Sequence, residues 1–271
     1  MTTLKSPSEI EHIRASCRIV SEVQRLLESA LSAGVTTADL DALAESAIRE
    51  SGAIPAFKGY HGFPASICAS VNAQAVHGFP NKTPLKEGDI VSVDVGVQLE
   101  GFYGDGAFTI GVGEIGPDCE RLLEITRAAL QDGIDAAQPG GRLSDISHAV
   151  QKRAESGDLS VVRDFGGHGI GRALHEDPHI PNHGRPGRGP RLKAGFVFCV
   201  EPILSLGKGE VFVADDGWTT STRDGSPVAH FEHTVALTED GVQILTEAEA
   251  ERPVGEAVDG SGRSCAGHRS A

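Results

Sequence analysis

The segment 90–110 reads I-V-S-V-D-V-G-V-Q-L-E-G-F-Y-G-D-G-A-F-T-I and constrains the fold more than any other stretch of the chain. Its first half alternates valine with Ser92 and Asp94, which predicts a strand with an apolar side facing a core and a carboxylate on the other side. A hairpin turn is expected near its middle. If the chain reverses about the Leu99–Glu100 bond, Asp94 lies directly opposite Asp105.

Two carboxylates in this arrangement are expected to need a cation. Side chains that face each other across a hairpin have Cβ atoms roughly 5 Å apart, and two like charges there repel by about 3 kcal/mol at an effective dielectric constant near 20. Carboxylates on a rigid hairpin therefore suit a divalent metal such as Mn, Fe, Co, Zn or Mg. The alternative is a sheet edge with two solvated aspartates, and the hairpin alone does not separate the two.

The composition of the chain excludes several classes of partner and compartment. A formal net charge of −14 argues against a surface for nucleic acids or anionic membranes, so neither is expected as a partner. The five cysteines are widely spaced without a C-x-x-C pair, which argues against a disulfide framework and against a structural zinc site. The N-terminus does not resemble a signal peptide, and no apolar run approaches membrane-spanning length. We therefore expect a cytoplasmic protein.

The predicted elements occur in a repeated order. Amphipathic helices are predicted over 8–31 and 37–50, then strands, and again over 117–138 and 144–156, then strands. The segment Leu85–Asp94 also matches Leu192–Glu201 at a constant offset of 107, which aligns the two carboxylates. This pattern predicts an α+β fold built from a duplicated unit, with both carboxylates directed into one central site.

We expect one domain over residues 1–250, with halves at roughly 8–111 and 117–247. The strands expected in the second half are 211–214, 218–222, 230–237 and 243–245. Residues 251–271 show no periodicity and are predicted to form a disordered tail.

Three further polar residues lie where ligand binding would explain them. His168 lies in F-G-G-H-G-I-G, where glycines let the backbone approach a ligand closely, although a lone histidine there could also be structural. Glu201 ends an apolar strand and Glu232 is flanked by strand formers, and such carboxylates are poorly placed unless they are paired or liganded. With Asp94 and Asp105 they form a set that can hold two metal ions and a bridging water.

These motifs, in this order, resemble the type I methionine aminopeptidases, metallopeptidases of family M24 with the pita-bread fold. The resemblance covers about residues 6–247 and rests on Asp94 in D-V-G, Asp105 in G-D-G-A-F-T, His168 in G-H-G-I-G, Glu201 in E-P and Glu232 in F-E-H-T. It implies that these five residues are metal ligands. The implied fold has two pseudo-symmetric αα-β halves, which form a curved antiparallel sheet with helices on its outer face.

The same resemblance implies a function. It implies a metalloaminopeptidase that removes the initiator methionine from nascent proteins when the second residue is small, with two divalent ions (Co, Mn, Fe, Ni or Zn) that activate a water. Glu201 would accept the proton of that water, while His77 in V-H-G and His175 in L-H-E-D-P would contact the substrate without binding metal. The expected partners are nascent polypeptide N-termini, as they would be met at the ribosome, and the expected state is a monomer.

A pocket for the methionine side chain is also implied by the resemblance. The matching pocket residues are Phe57, Tyr60, Phe63, Cys68, Leu174 and Trp218. The chain departs from the family pattern at Phe57, where Cys is frequent, and at Leu174, where a larger aromatic is frequent. The two side chains could exchange bulk across the pocket, or Phe57 could be core packing only.

Two other functions stay open at this point. An X-Pro peptidase of the same fold would share the metal motifs, but such enzymes usually carry an additional N-terminal domain, for which there is no room before Ser8. A non-catalytic binding protein on this scaffold would usually lack ligands, and all five are present. The 33 positions from His168 to Glu201 also leave no room for the large insert of the type II subfamily.

Overall fold

The computed structural model describes residues 3–247, so the predicted tail at 251–271 lies outside the described range. The helices are α1 Pro7–Ala30, α2 Thr37–Glu50, α3 Pro117–Asp135 and α4 Leu143–Ser156. The strands are β1 Ile54–Pro55, β2 Ile67–Val71, β3 Gln74–Val76, β4 Ile90–Leu99, β5 Phe102–Gly111, β6 Ser160–Val161, β7 Gly166–Gly169, β8 Glu176–Pro181, β9 Val197–Val200, β10 Ile203–Ser205, β11 Val211–Val213, β12 Thr220–Thr222, β13 Val228–His230, β14 His233–Thr238 and β15 Gly241–Ile244. Each predicted helix is present to within three residues at both ends.

The helices start at caps and bury one face against the sheets. Before α1, the Ser6 hydroxyl accepts from the Glu9 N–H at 3.3 Å, and the Glu9 carboxylate accepts from the Ser6 N–H at 3.0 Å, which is a capping box. The apolar side of α1 lies on the β4–β5 hairpin so closely that a Cβ on Gly104 would collide with the backbone of Cys17. Within residues 3–247, no helix is long and apolar enough to cross a membrane.

The β4–β5 hairpin forms as predicted but turns one residue later. Leu99 pairs with Phe102, so the loop consists of Glu100 and Gly101 with φ of 51° and 80°. A two-residue loop with both φ positive matches the twist of the flanking strands. Glycine adopts this backbone readily, whereas a reversal about the Leu99–Glu100 bond would place leucine in the loop.

The later turn changes how the two aspartates face each other. Our prediction that Asp94 lies directly opposite Asp105 is wrong, because Asp94 pairs with Ala107 and Asp105 pairs with Gly96. The shift is by two positions in the pairing, so both side chains stay on the same face as diagonal neighbours. They remain within reach of each other, so their charges are still expected to repel each other and to need a cation.

Two sheets carry the site, and they meet at β5. One sheet has the order β1-β4-β2 with β5 beside β4, and the other has the order β15-β14-β9-β7-β8. Glu232 donates its N–H to the Ala107 carbonyl at 2.8 Å, and the Thr234 hydroxyl donates to the Asp105 carbonyl at 2.7 Å. Smaller sheets, β13-β10-β6 and β11-β12-β3, lie beside them. The predicted α+β class is confirmed, with every strand pair of the described residues antiparallel.

The predicted strand at 230–237 is interrupted in the structure. It consists of β13, which ends at His230, and β14, which begins at His233. β13 pairs with β10 and β14 pairs with β9, so the chain moves from one sheet to another between them. Glu232 lies in this crossing, where its backbone bonds to β5 rather than to a neighbour within its own sheet.

Candidate metal centre and active site

Four carboxylates and one imidazole converge where the two sheets meet. Asp94 comes from β4, Asp105 from β5, Glu201 from the end of β9, Glu232 from the β13–β14 crossing and His168 from β7. Asp105 and Glu232 are each 3% exposed and His168 is 8% exposed. The structure therefore brings together all five residues predicted as metal ligands; Asp105, Glu232 and His168 are buried, and Asp94 and Glu201 are half-buried.

The distances within this cluster are those of groups around a common centre. Nε2 of His168 lies 3.8 Å from Oδ2 of Asp105 and 3.7 Å from Oε1 of Glu201. One ligand atom each from Asp105, His168, Glu232 and the neighbouring Cys199 lies within 4.8 Å of the others. Such a set of oxygen and nitrogen atoms can contract around a small cation.

Electrostatics make these carboxylates costly without a cation. Burial raises the pKa of Asp94 to about 7, and burial together with the charge of Asp94 raises the pKa of Glu201 to about 8. Burial also raises the pKa of Asp105 and of Glu232 well above the usual range, with further contributions from neighbouring carboxylates.

Two carboxylate oxygens of the cluster also lack hydrogen bonds. Oδ1 of Asp94 and Oε1 of Glu232 are buried without a partner among the described residues. No lysine or arginine lines the cavity in the described part of the chain. Unpaired buried oxygens and mutual repulsion are what divalent cations relieve, so the residues present fit a metal centre.

Two uncharged histidines flank the cluster. Burial lowers the pKa of His77, and it lowers the pKa of His175 to about 4, with His77 and His61 as smaller contributors. Nδ1 of His175 lies 2.8 Å from the Tyr60 hydroxyl. When that hydroxyl donates to Nδ1, the ring proton is on Nε2, and His175 can donate a hydrogen bond to a substrate. His77 adopts φ of 58°, a strained backbone that is common at functional sites.

An apolar pocket opens from the metal centre. The residues predicted for the methionine pocket all line this cavity, namely Phe57, Tyr60, Phe63, Cys68, Leu174 and Trp218. The cavity that this pocket shares with the metal centre has a volume of about 190 Å³. Phe63 and Trp218 meet edge to face with ring centroids 5.2 Å apart, so the walls are fixed by aromatic packing.

Sequence reasoning missed two residues at this site, His230 and Cys199. His230 lines the cavity, and Sγ of Cys199 belongs to the cluster of candidate ligand atoms. Each lies two positions before a predicted ligand, Glu232 or Glu201. Because alternate residues of a strand share a face, this spacing was the available signal.

Comparisons with known proteins identify the family of this chain. The family model described as metallopeptidase family M24 matches residues 11–239. A methionine aminopeptidase of Clostridium perfringens is 50% identical over 246 residues, which cover 91% of this chain and 99% of that protein. The crystal structure of methionine aminopeptidase from Thermotoga maritima has a TM-score of 0.90 at 45% identity and covers 92% of this chain and 100% of that one.

The X-Pro peptidases are more distant. The prolidase from Pyrococcus furiosus has a TM-score of 0.74 at 23% identity, and this chain spans only 66% of it, so that similarity shows the fold alone. The pita-bread fold expected from the sequence is confirmed by these structural neighbours. The family match and the similarity along nearly the whole chain place this protein in metallopeptidase family M24, among the methionine aminopeptidases.

Proposed function

We propose that this enzyme removes the initiator methionine from nascent polypeptides whose second residue is small, and that it acts as a cytoplasmic monomer on N-termini at the ribosome. The observation that carries the chemistry is the group of four buried or half-buried carboxylates that share one cavity with an apolar pocket. Membership of the methionine aminopeptidases supports the removal of an N-terminal methionine, and the preference for a small second residue is taken from the family resemblance of the sequence.

Two divalent ions are the proposed cofactor, drawn from Co, Mn, Fe, Ni and Zn. The proposed ligands are Asp94, Asp105, His168, Glu201 and Glu232. Four ionised carboxylates carry four negative charges, which two divalent cations balance. When bound, such ions polarise a peptide carbonyl and lower the pKa of water toward 7.

The protein's own groups then handle protons and orientation. Glu201 is the proposed proton acceptor, because its carboxylate lies in the wall of the cavity beside the other proposed ligands, within reach of a water that bound metal ions would activate. His175, whose tautomer Tyr60 can set, would donate from Nε2 to the carbonyl oxygen as negative charge develops there. His77, which lines the same cavity, would contact the scissile amide nitrogen.

The pocket is proposed to hold the methionine side chain. Methionine is unbranched and polarizable, so aromatic walls such as Phe63 and Trp218 bind it through dispersion and sulfur–aromatic contacts of about 0.3–1.5 kcal/mol each. With the side chain held there, the α-amine and the scissile carbonyl would lie at the carboxylate cluster.

A peptide series tests this function. With Mn²⁺ added, Met-Gly and Met-Ala peptides should be cleaved, Met-Leu peptides much more slowly, and X-Pro peptides without methionine not at all. His77→Ala and His175→Ala should keep the Mn²⁺ content while kcat falls about 100-fold or more. Preferential X-Pro cleavage would contradict the substrate, and loss of bound metal in either variant would contradict the assigned roles.

A further inference from the structure

The inference concerns His230, a buried histidine at the end of β13. Its backbone is clamped to β5, because the Thr109 hydroxyl accepts from the His230 N–H at 2.9 Å and donates to its carbonyl at 2.7 Å. The residue is only 3% exposed. The imidazole is therefore held in one place at the wall of the cavity.

One ring nitrogen of His230 has no hydrogen bond. Nε2 is buried without a partner among the described residues. It lies 3.7 Å from Oε2 of Glu201 and 3.9 Å from Oε2 of Glu232. Leaving a buried polar atom unpaired costs about 1–3 kcal/mol, and in the tautomer with its proton on Nε2 the nearby carboxylates can accept from it.

Glu201 lies between two imidazoles. His168 faces Oε1 at 3.7 Å and His230 faces Oε2 at 3.7 Å. If Oε1 joins His168 at a metal ion, Oε2 is the oxygen left for a hydrogen bond. Carboxylates that bind metals are commonly held by such a donor.

Glu232 is the poorer acceptor for this proton. Its oxygen is the more distant of the two, at 3.9 Å. The Glu232 side chain also lies in the same cluster of candidate ligand atoms as Asp105, His168 and Cys199. The proton of His230 therefore matches Glu201 better than Glu232.

We propose that His230 donates a hydrogen bond from Nε2 to Oε2 of Glu201 and so orients this carboxylate as the proton acceptor. His230 is thus a positioning residue and not a metal ligand. The inference rests on the proposed function in one respect, the role of Glu201 as proton acceptor. Contraction from 3.7 Å to about 2.9 Å completes the bond.

Two amide variants separate this role from simple packing. In His230→Gln the amide nitrogen lies about where Nε2 was and can still donate, whereas in His230→Asn the shorter side chain cannot reach Glu201. With Mn²⁺ and a Met-Gly peptide, His230→Asn should lower kcat about 10- to 100-fold with KM within threefold. His230→Gln should stay within about fivefold of the wild type in kcat.

Metal affinity provides a readout that needs no turnover. Titration calorimetry on the chelated protein should show Kd for Mn²⁺ raised about tenfold in His230→Asn and less than threefold in His230→Gln. His233→Gln is the matched control, since that imidazole bonds to Thr246 at 2.8 Å and does not line the cavity. It should match the wild type in kcat and in Kd.

Several results would overturn the inference. These are wild-type kcat and Kd in His230→Asn, equal impairment of the two amide variants, or the loss of an imidazole ligand from the X-ray absorption spectrum of the Co²⁺-loaded His230→Gln protein. If His230→Asn does not fold, His230→Gln decides alone. In that case a kcat at least tenfold lower, or a Kd at least tenfold higher, than in the wild type overturns the role. A wild type that binds Mn²⁺ but does not cleave Met-Gly refutes the proposed function instead, and the Kd comparison still tests His230.

Discussion

Phe57 contacts both the core and the apolar pocket. Its ring packs against β4 where a Cβ on Gly96 would collide with it, and it is 8% exposed. It also lines the same cavity as Leu174. The side chain thus has one face in the core and another toward the pocket.

We predict that Phe57→Ala enlarges the pocket and raises the cleavage of Leu-initiated peptides relative to Met-initiated ones. Apolar pockets separate such side chains by only about 1–3 kcal/mol, so a change in shape should alter the kcat/KM ratio by tenfold or more. Stability should also fall by about 3–5 kcal/mol. The measurements are kcat/KM on paired peptides and urea unfolding, at unchanged metal content.

The control is Leu27→Ala, a truncation of a fully buried residue of α1 that does not line the cavity. It should lower stability while leaving the Leu/Met ratio as in the wild type. If Phe57→Ala behaves in the same way, Phe57 serves only as core.

At the scale of single residues, the sequence predicted which side chains lie close together better than it predicted how they face each other. Asp94 and Asp105 lie together as expected, but as diagonal neighbours, because the turn depends on which residue accepts positive φ. His230 was not predicted as a site residue, because the sequence indicated it only by its position two residues before Glu232. Whether a buried nitrogen lacks a partner depends on three-dimensional contacts that no local pattern encodes.

The loop that carries His175 is held by a contact from the start of the chain. The Glu176 carboxylate accepts from the Arg172 N–H at 2.9 Å and from Nζ of Lys5 at 2.5 Å. The Lys5 side chain is 3% exposed, and its backbone N–H donates to the Gly195 carbonyl at 2.6 Å. The segment before α1 therefore ties this loop to β9 and its neighbours.

We predict that Lys5→Met loosens this loop. Removing one member of a buried ion pair leaves the other carboxylate uncompensated, so stability should fall by about 1–3 kcal/mol, since Glu176 keeps its backbone donors and some solvent contact. Turnover should fall more than KM changes, because His175 follows the loop. Denaturant unfolding and steady-state kinetics measure both.

Lys58→Met is the control for this prediction. Its pair with Glu45 at 2.6 Å is solvent-exposed, so the substitution should change stability by less than about 1 kcal/mol. Equal effects of the two lysine variants would mean that the Lys5–Glu176 pair has no special role in holding the loop.

Whole elements were easier to predict when their pattern was long. The four helices follow from an apolar period of 3.6, and they occur where expected. The strand predicted at 230–237 is divided at Glu232, because the chain changes sheets there. The residues on both sides of Glu232 favour strands, so the sequence does not indicate this crossing. The crossing is caused by the backbone hydrogen bonds of Glu232 to β5.

For the whole molecule, the site exists because two sheets join along β5. Asp94 and Asp105 come from one sheet and His168 from the other, while Glu232 lies where the chain passes from β13 to β14 and bonds to β5. The duplicated pattern Leu85–Asp94 and Leu192–Glu201 predicted such a convergence. The depth of burial, which gives the carboxylates their raised pKa values, could not be predicted from the pattern.

The raised pKa values of the carboxylates predict that the metal-free protein becomes less stable as the pH rises. Asp94 and Glu201, with pKa values of about 7 and 8, keep protons that the unfolded chain has already released. Unfolding therefore becomes easier as the pH rises through those values. Buried histidines such as His168 and His233, whose pKa values are lowered to about 3 and about 4, act oppositely, but only below the pKa of about 6.5 that they have when unfolded. Between pH 6.5 and 8.5 the carboxylates decide the slope.

Thermal unfolding of the chelated protein at pH 6.5 and 8.5, with and without Mn²⁺, tests the metal centre most directly. Without metal, we predict a loss of about 2 kcal/mol, or roughly 5 °C in Tm, from the lower to the higher pH. Mn²⁺ should raise Tm at both values and by more at pH 8.5, where the carboxylates are ionised and repel one another. A Tm that does not fall with pH and does not respond to Mn²⁺ would contradict a metal centre built from these buried carboxylates.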